Sequence, residues 1–477
     1  MRKSLITVLM LSASLSGYSK IELPDIIGNN MVLQQKADAK IWGWATPGSL
    51  VTVSGSWNAS KKVTAKADSK GRWEVMLPTP AASFTPYSVT IKGDGSDLTL
   101  DNVLSGEVWF CSGQSNMEMP LRGFGFQPVE GAGEAIAYSG RYPGIRVAKV
   151  PKGRAYTPQD RTPGPWKVSQ PSTAREFTAL GYFFARSLSD ILGVPVGIID
   201  CSYGGSKIEG WQSREQLAKY PEWNVDKEEA DSTLQDYERI NIMYNSMLHP
   251  LIGYTVKGFL WNQGESNVGR EKTYPYHQKD MVEDWRVKWG LGELPFYFVE
   301  IPGWDYGNPD GTGAALFRES QHKAAELIPN SAIISTSDLV YPFEVNDIHA
   351  RKKREIGERL AFMAAAKTYG IEGMPVDYPR FKSMKVEGDK AIITLTNPWD
   401  GITPYRNLEG FEAAGADRVF HPAMANVNLQ TMDIEVTCPE AGTIEAVRYN
   451  FKNFAVGKIH NSLGLPLVPF RTDDWEQ

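Results

Sequence analysis

Four short segments of this 477-residue chain collect side chains suited to acyl transfer. The first is Cys111-Ser-Gly-Gln-Ser-Asn-Met117. A serine in a tight, glycine-containing turn at a strand end can project its hydroxyl into a cleft, while neighbouring backbone N–H groups point at an oxyanion. The spacing is not Gly-x-Ser-x-Gly, so the strained elbow that pattern marks does not apply; alone, a capping serine explains the segment as well. The second is Ser202-Tyr-Gly-Gly-Ser-Lys-Ile-Glu-Gly-Trp211, whose two glycines allow close backbone approach to a ligand, or simply a turn. The third, Trp261-Asn-Gln-Gly-Glu-Ser-Asn267, is dense in polar groups directly after an apolar run, and an amide there could serve an oxyanion. The fourth is Asn346-Asp-Ile-His-Ala-Arg351. A carboxylate two residues before a histidine can orient the imidazole and stabilise its charge, although an N-capping Asp beside a surface His has the same pattern. No further His, Asp or Cys stands at ligand spacing, so no metal and no cofactor is expected. Together the segments supply a hydroxyl, a glycine-rich backbone, an amide and an Asp–His pair in the order Ser…Asp…His, the assembly acyl transfer needs.

Each segment must sit at the end of an element. From about 106 to 370, strand-like runs alternate with helical ones: Glu107–Cys111, Pro195–Asp200, Val256–Trp261, Phe296–Glu300 and Ala332–Thr336 as strands, with Ala174–Leu192, Tyr274–Trp289, Ala314–Leu327 and Ile348–Ala366 as helices. In the first helix Phe177, Leu180, Phe184, Leu188 and Ile191 form one stripe. The order predicts an α/β fold, a doubly wound and mostly parallel sheet with helices on both faces. Ligands of such sheets bind beyond the carboxyl ends of the strands, which is where the first three segments fall. The expected organisation is a leader over 1–19, a β-sandwich-like domain over 20–104, the α/β domain over 105–372 and a β-rich region over 373–477. The first β zone shows period-two alternation in Val51–Ser54, Val63–Ala67, Trp73–Leu77 and Val89–Lys92, with turn signals between.

Composition narrows the function classes. Apolar residues make up 42% and charged residues 22%, which excludes wholesale disorder. Lys plus Arg is 50 against 56 Asp plus Glu, a balance of −6 that argues against a nucleic-acid surface. Arg2 and Lys3, the apolar stretch Leu5–Leu15, and Gly17 and Ser19 predict a secretory signal peptide cut after Ser19, hence a periplasmic or secreted protein. No later run is long enough to span a bilayer. Cys111, Cys201 and Cys438 are too few for a disulfide framework; buried free thiols are expected, with a Cys111–Cys201 bridge left open.

The four segments, in this order, resemble the blocks of the SGNH hydrolases, and their wording is most similar to the sialate O-acetylesterase branch. The likeness lies in Gly106–Met117, Gly204–Trp211, Trp261–Asn267, and Asp347-Ile-His349 followed by Gly357-Glu-Arg-Leu360, and extends to Ile41-Trp-Gly-Trp-Ala45 and Gly464–Arg471. It implies Ser115 as nucleophile, His349 as base and Asp347 as its orienter. It also implies an oxyanion hole from the N–H of Ser115, the N–H of Gly205 and a side-chain amide, placed at Gln263 with Asn267 as competitor. Glu118, Trp211, His249, Glu265 and Arg318 are candidate substrate-binding residues, Arg318 as a reader of a sugar carboxylate. The family often has Pro after the histidine, where this chain has Ala350. The implied activity is a serine esterase removing O-acetyl groups from a sugar, sialic acid first, acetylated xylan or another plant glycan second. A catalytically inactive sugar-binding protein is the alternative from another class. Asp200 and Asp338 are the rival acids. A directly paired Asp347 would push the His349 pKa up and burial would push it down. Asp347→Asn is expected to cost roughly two to four decades in kcat.

Overall fold

The computed structural model describes residues 21–396 and 401–475. The leader expected over 1–19 lies outside the described residues. At the centre is a seven-strand path in the order Ser331–Ile334, Phe296–Val299, Gly258–Asn262, Ser96–Gly113, Val196–Ser202, Ile145–Lys149, Trp166–Val168. All neighbours run parallel except the last pair. Because side chains alternate along a strand, Val108 and Phe110 enter one core and Trp109 and Cys111 the other. Helices Tyr274–Trp289 and Gly313–Leu327 cover the first face through Trp285, Trp289 and Phe317. Helices Ala179–Leu192 and Lys353–Lys367 cover the second through Leu180, Phe184, Ile356 and Leu360. The expected α/β sheet with helices on both faces is what forms.

Two helices start five residues later than expected. The first long helix begins at Ala179, because the Thr178 hydroxyl accepts the Gly181 N–H and caps it there. The last begins at Lys353 instead of Ile348: Asp347 accepts the His349 N–H and Glu344 accepts the Arg351 N–H, so local side-chain bonds hold 347–352 as a loop. The histidine is therefore on a loop.

The expected boundary at 104/105 falls inside one 18-residue strand, Ser96–Gly113. Its first half pairs antiparallel with Ser83–Gly93; its second half is the centre of the parallel sheet. Trp42, Trp73 and Ile91 of the β zone accordingly share a core with Phe110 and Trp261. The last hundred residues instead build two four-stranded antiparallel sheets around a separate core of Ile393, Phe411, Val436 and Tyr449. Cys111, Cys201 and Cys438 are free and buried. Cys111 and Cys201 lie on neighbouring strands but face opposite sides of the sheet, which rules out the bridge between them. Among the described residues no helix is long and apolar enough to cross a membrane.

Candidate active site

The nucleophile strand ends at Gly113, whose φ is +139° and whose hypothetical Cβ would stand 2.1 Å from the Asn262 carbonyl oxygen; only glycine passes there. Gln114 N–H then bonds that same carbonyl, at 2.9 Å, and the chain turns into a single helical turn, Ser115–Glu118. Met117 and Glu118 donate to the Gln114 carbonyl. The Ser115 N–H, ahead of the first helical bond, has no acceptor among the described residues.

The loop after Val196–Ser202 lies against this turn. A methyl placed on Gly204 would stand 3.4 Å from Ser115 Cβ. Gly204 N–H donates to Glu118 Oε2 at 2.6 Å, and Lys152 pairs with Glu118 Oε1 at 2.9 Å. Glu118, expected among substrate contacts, is thus an anchor for the glycine loop. Gly205 adopts φ +80°, and its N–H has no acceptor among the described residues. Two backbone N–H groups are thus unengaged: the serine's own, and that of Gly205, the residue after the Gly204 that packs on the serine.

The expected side-chain amide is a correction. Gln263 is fully buried; its Nε2 donates to the Ser206 carbonyl at 3.0 Å and to Asn267 Oδ1 at 2.7 Å, which uses both hydrogens. Asn267 accepts the Ile208 N–H and donates to Glu209. Both amides tie the second and third loops together and leave nothing for an oxyanion. Gln114 Oε1 accepts the N–H groups of Gly264 and Ser266, while its Nε2 has no acceptor among the described residues.

The histidine arrives through a route the sequence did not mark. His349 Nδ1 meets Gln127 Oε1 at 2.6 Å, and Gln127 Nε2 donates to Asp347 Oδ1 at 2.8 Å. Asp347 does not touch the imidazole; its Oδ1 also takes the His349 backbone N–H at 3.1 Å. Direct orientation by Asp347 is thereby corrected to an indirect one. The edge of Phe124 packs on the ring with centroids 5.2 Å apart. His349 Nε2 is buried without a partner, and Ser115 Oγ makes no hydrogen bond among the described residues. Burial, with the nearby Lys353 charge, pushes the imidazole pKa down to about 4.

Beneath both halves lies Asn116. Its Nδ2 donates to Glu265 Oε1 and, at 3.1 Å, to the Ile348 carbonyl; its Oδ1 accepts from Lys353 Nζ. Three loops are joined by one amide. Lys353 is fully buried, and burial lowers its pKa to about 8 against the attraction of Glu265, Asp347 and Glu344. Burial raises the Glu265 pKa, opposed by its bond from Asn116 and by Lys353. Asn116 adjoins the serine and could have been suspected; Gln127 lies 220 residues from Asp347 in a Gly-Phe-Gly-Phe-Gln run, with no spacing to signal it.

Other candidates sit elsewhere. Trp211 is fully buried, donates to Ser206 Oγ at 2.9 Å and packs edge-on against Trp261, so it is core and not cleft. Arg318 is buried and donates to the Lys452 and Asn453 carbonyls, because its helix docks on that loop through Ala314 N–H and Asn453 Oδ1. It has no face for a sugar carboxylate. His249 Nδ1 meets the Gln159 carbonyl at 2.8 Å. Glu265 faces Asn116, as described. The rival acids are engaged: burial pushes Asp200 up to about 6 beside Ser202 and Lys149, whereas Asp338, despite burial, is held at about 2 by Arg359 and His460. Among the described residues no cluster of His, Cys, Asp and Glu could hold a metal ion.

Residues 105–366 match the carbohydrate esterase family described as sialic acid-specific acetylesterase. The chain is 29% identical to sialate O-acetylesterase of Mus musculus, over 93% of each chain. It is 27% identical to sialate O-acetylesterase of Homo sapiens, over 98% of this chain and 95% of the relative. A solved carbohydrate acetylesterase from Xanthomonas citri is 34% identical and superposes with a TM-score of 0.84, covering 96% of this chain and all of that one.

Proposed function

The chain belongs to the carbohydrate esterase family of sialic acid-specific acetylesterases, and from that premise we propose that it removes O-acetyl groups from sialic acid through an acetyl-enzyme on Ser115. It is a carboxylic ester hydrolase. The observation that carries the mechanism is a serine with unengaged backbone N–H groups at its turn, joined through Asn116 and the Ile348 carbonyl to the loop of a histidine whose Nε2 has no partner. His349 Nε2 takes the Ser115 proton as Oγ attacks the acetyl carbonyl. The negative oxygen rests on the N–H groups of Ser115 and Gly205. The imidazolium returns its proton to the sugar oxygen, which leaves as an alcohol. Water, deprotonated by the same nitrogen, attacks the acetyl-enzyme, and acetate departs from Ser115.

Ser115→Ala is expected to remove nearly all acetate release from 9-O-acetylsialic acid and nearly all turnover of p-nitrophenyl acetate. Retention of most activity would refute the assignment. A second reading, another acetylated carbohydrate as substrate, is favoured by the higher identity to the Xanthomonas citri enzyme. Acetate release from acetylated xylan set beside 9-O-acetylsialic acid separates the two. Arg2, Lys3 and the apolar stretch after them support export with cleavage after Ser19; the N-terminal residue of the secreted protein tests this.

A further inference from the structure

We propose that Gln127 is the positioning residue of the catalytic base: it relays Asp347 to the imidazole of His349 and keeps Nε2 as the nitrogen that accepts the proton. The inference rests on His349 acting as the base of the reaction above.

The geometry has one self-consistent polarity. Asp347 Oδ1 is a pure acceptor, so the group facing it must donate, which assigns Nε2 of Gln127 to the carboxylate. The opposite end of the amide is then Oε1, which faces Nδ1 at 2.6 Å and requires that nitrogen to carry the hydrogen. A flipped amide would set lone pair against lone pair at Asp347, and it would leave Nδ1 as an acceptor with the hydrogen on Nε2; the carboxylate contact excludes it. With Nδ1 protonated, the neutral imidazole has its lone pair on Nε2, the atom that is buried without a partner.

Asp347 cannot do this itself as the loop is folded. Its Oδ1 is turned back onto the N–H of His349, two residues on, which holds the carboxylate over its own backbone. Gln127 is in turn fixed by the 123–127 turn. Phe124 N–H and Gln127 N–H each bond the other residue's carbonyl, at 3.0 and 3.2 Å. Gly123, with φ +75°, leaves no room for a Cβ, which would stand 2.4 Å from the Gln127 carbonyl oxygen. The same turn packs Phe124 against the ring.

The bridge has a consequence for charge. The groups facing the imidazole are Gln127 and Phe124 from this turn, Asp347 on its own loop, and Lys353 from the following helix, with Glu265 and Glu344 beyond Lys353. An amide stabilises imidazolium less than a carboxylate in contact, and Lys353 opposes it. The base therefore stays unprotonated in mildly acidic solution, where a directly paired histidine would lose activity.

The test is the pH dependence of kcat and KM on p-nitrophenyl acetate for wild type, Gln127→Met and the double variant Gln127→Glu with Asp347→Asn, with Ser115→Ala alongside. Gln127→Met keeps the length and removes both bonds; kcat is expected to fall roughly ten- to hundredfold with KM changed less than about threefold. Gln127→Glu combined with Asp347→Asn moves the carboxylate onto Nδ1, beside an amide that can donate to it, and its acid limb is expected to rise by about one pH unit or more. A merely structural role would lower both variants without moving the limb. An unmoved limb in the double variant Gln127→Glu with Asp347→Asn, wild-type kcat in Gln127→Met, or a loss confined to KM overturns the proposal while Ser115→Ala is inactive. Turnover retained in Ser115→Ala overturns the esterase assignment and this proposal with it.

Discussion

The two halves of the site are held in different ways. The nucleophile half is set by backbone: Gly113 against the Asn262 carbonyl, Gln114 bonded to that same carbonyl, and the glycine loop tied down by Glu118. The histidine half hangs on side chains, through Gln127, Asp347 and the Asn116–Lys353 contact, and its loop has no helix around it. Parallel strands leave their C-terminal loops adjacent in space at no further cost, so a serine there is positioned by the sheet itself. The base must come from a loop with no ladder to fix it, and buried polar contacts take over that task. Damage to the first half should therefore unfold the molecule, and damage to the second should slow it or shift its pH response.

The largest effect is expected from Gly113→Ala. The new methyl meets the Asn262 carbonyl at a φ that alanine avoids, and thermal unfolding should show a loss on the order of 4 kcal/mol or failure to fold. Wild-type stability there would remove the contrast. Lys353→Met tests the joint between halves. It leaves Glu265 buried without its cation, and a loss of about 3 kcal/mol is expected, partly restored in Lys353→Met with Glu265→Gln. The acid limb of kcat/KM should move up in that double variant, since the Lys353 charge holds the imidazole down.

Asp347→Asn should be milder than for a carboxylate in contact with its histidine. The carbonyl of the substituted amide can still accept from Gln127 and from the His349 N–H, so a kcat loss of about ten- to hundredfold replaces the two to four decades expected of a direct pair. A loss of four decades would show that the carboxylate reaches the imidazole during turnover. The last effect is on stability with pH. Unfolded His349 takes its proton near ~6.5, whereas the folded imidazole waits until about 4. Between these values the unfolded chain holds more protons, so this contribution to stability is present above the higher value and is lost as pH falls through the window. His349→Gln should flatten that part of the melting-temperature profile.

Much of this was legible in the chain. Helix Tyr274–Trp289 begins and ends where its pattern says, because its apolar residues meet one core and Gly290 closes it. The alternation of strands and helices between 106 and 370 predicted the sheet and placed the serine and glycine loops at its C-terminal edge. The boundary near 104 failed because one strand serves two sheets, and nothing in local alternation says where a strand changes partners. The start of the last helix failed because Asp347 and Glu344 capture backbone N–H groups that a helix would otherwise claim.

Residue type and order alone determined the α/β layer, the serine at a strand end, the Asp-x-His pair and the acyl-transfer chemistry they imply, since each depends on local periodicity or on what a functional group can do. Only the tertiary structure decided which partners those groups have. It withdrew Gln263, Asn267, Trp211 and Arg318 from the cleft because their hydrogen bonds or burial are satisfied inside the fold. It inserted Gln127 between acid and base, across 220 residues of chain. Hydrogen bonds act over about 3 Å in space and carry no trace of sequence separation, so contacts of this kind can be read only once the chain is folded.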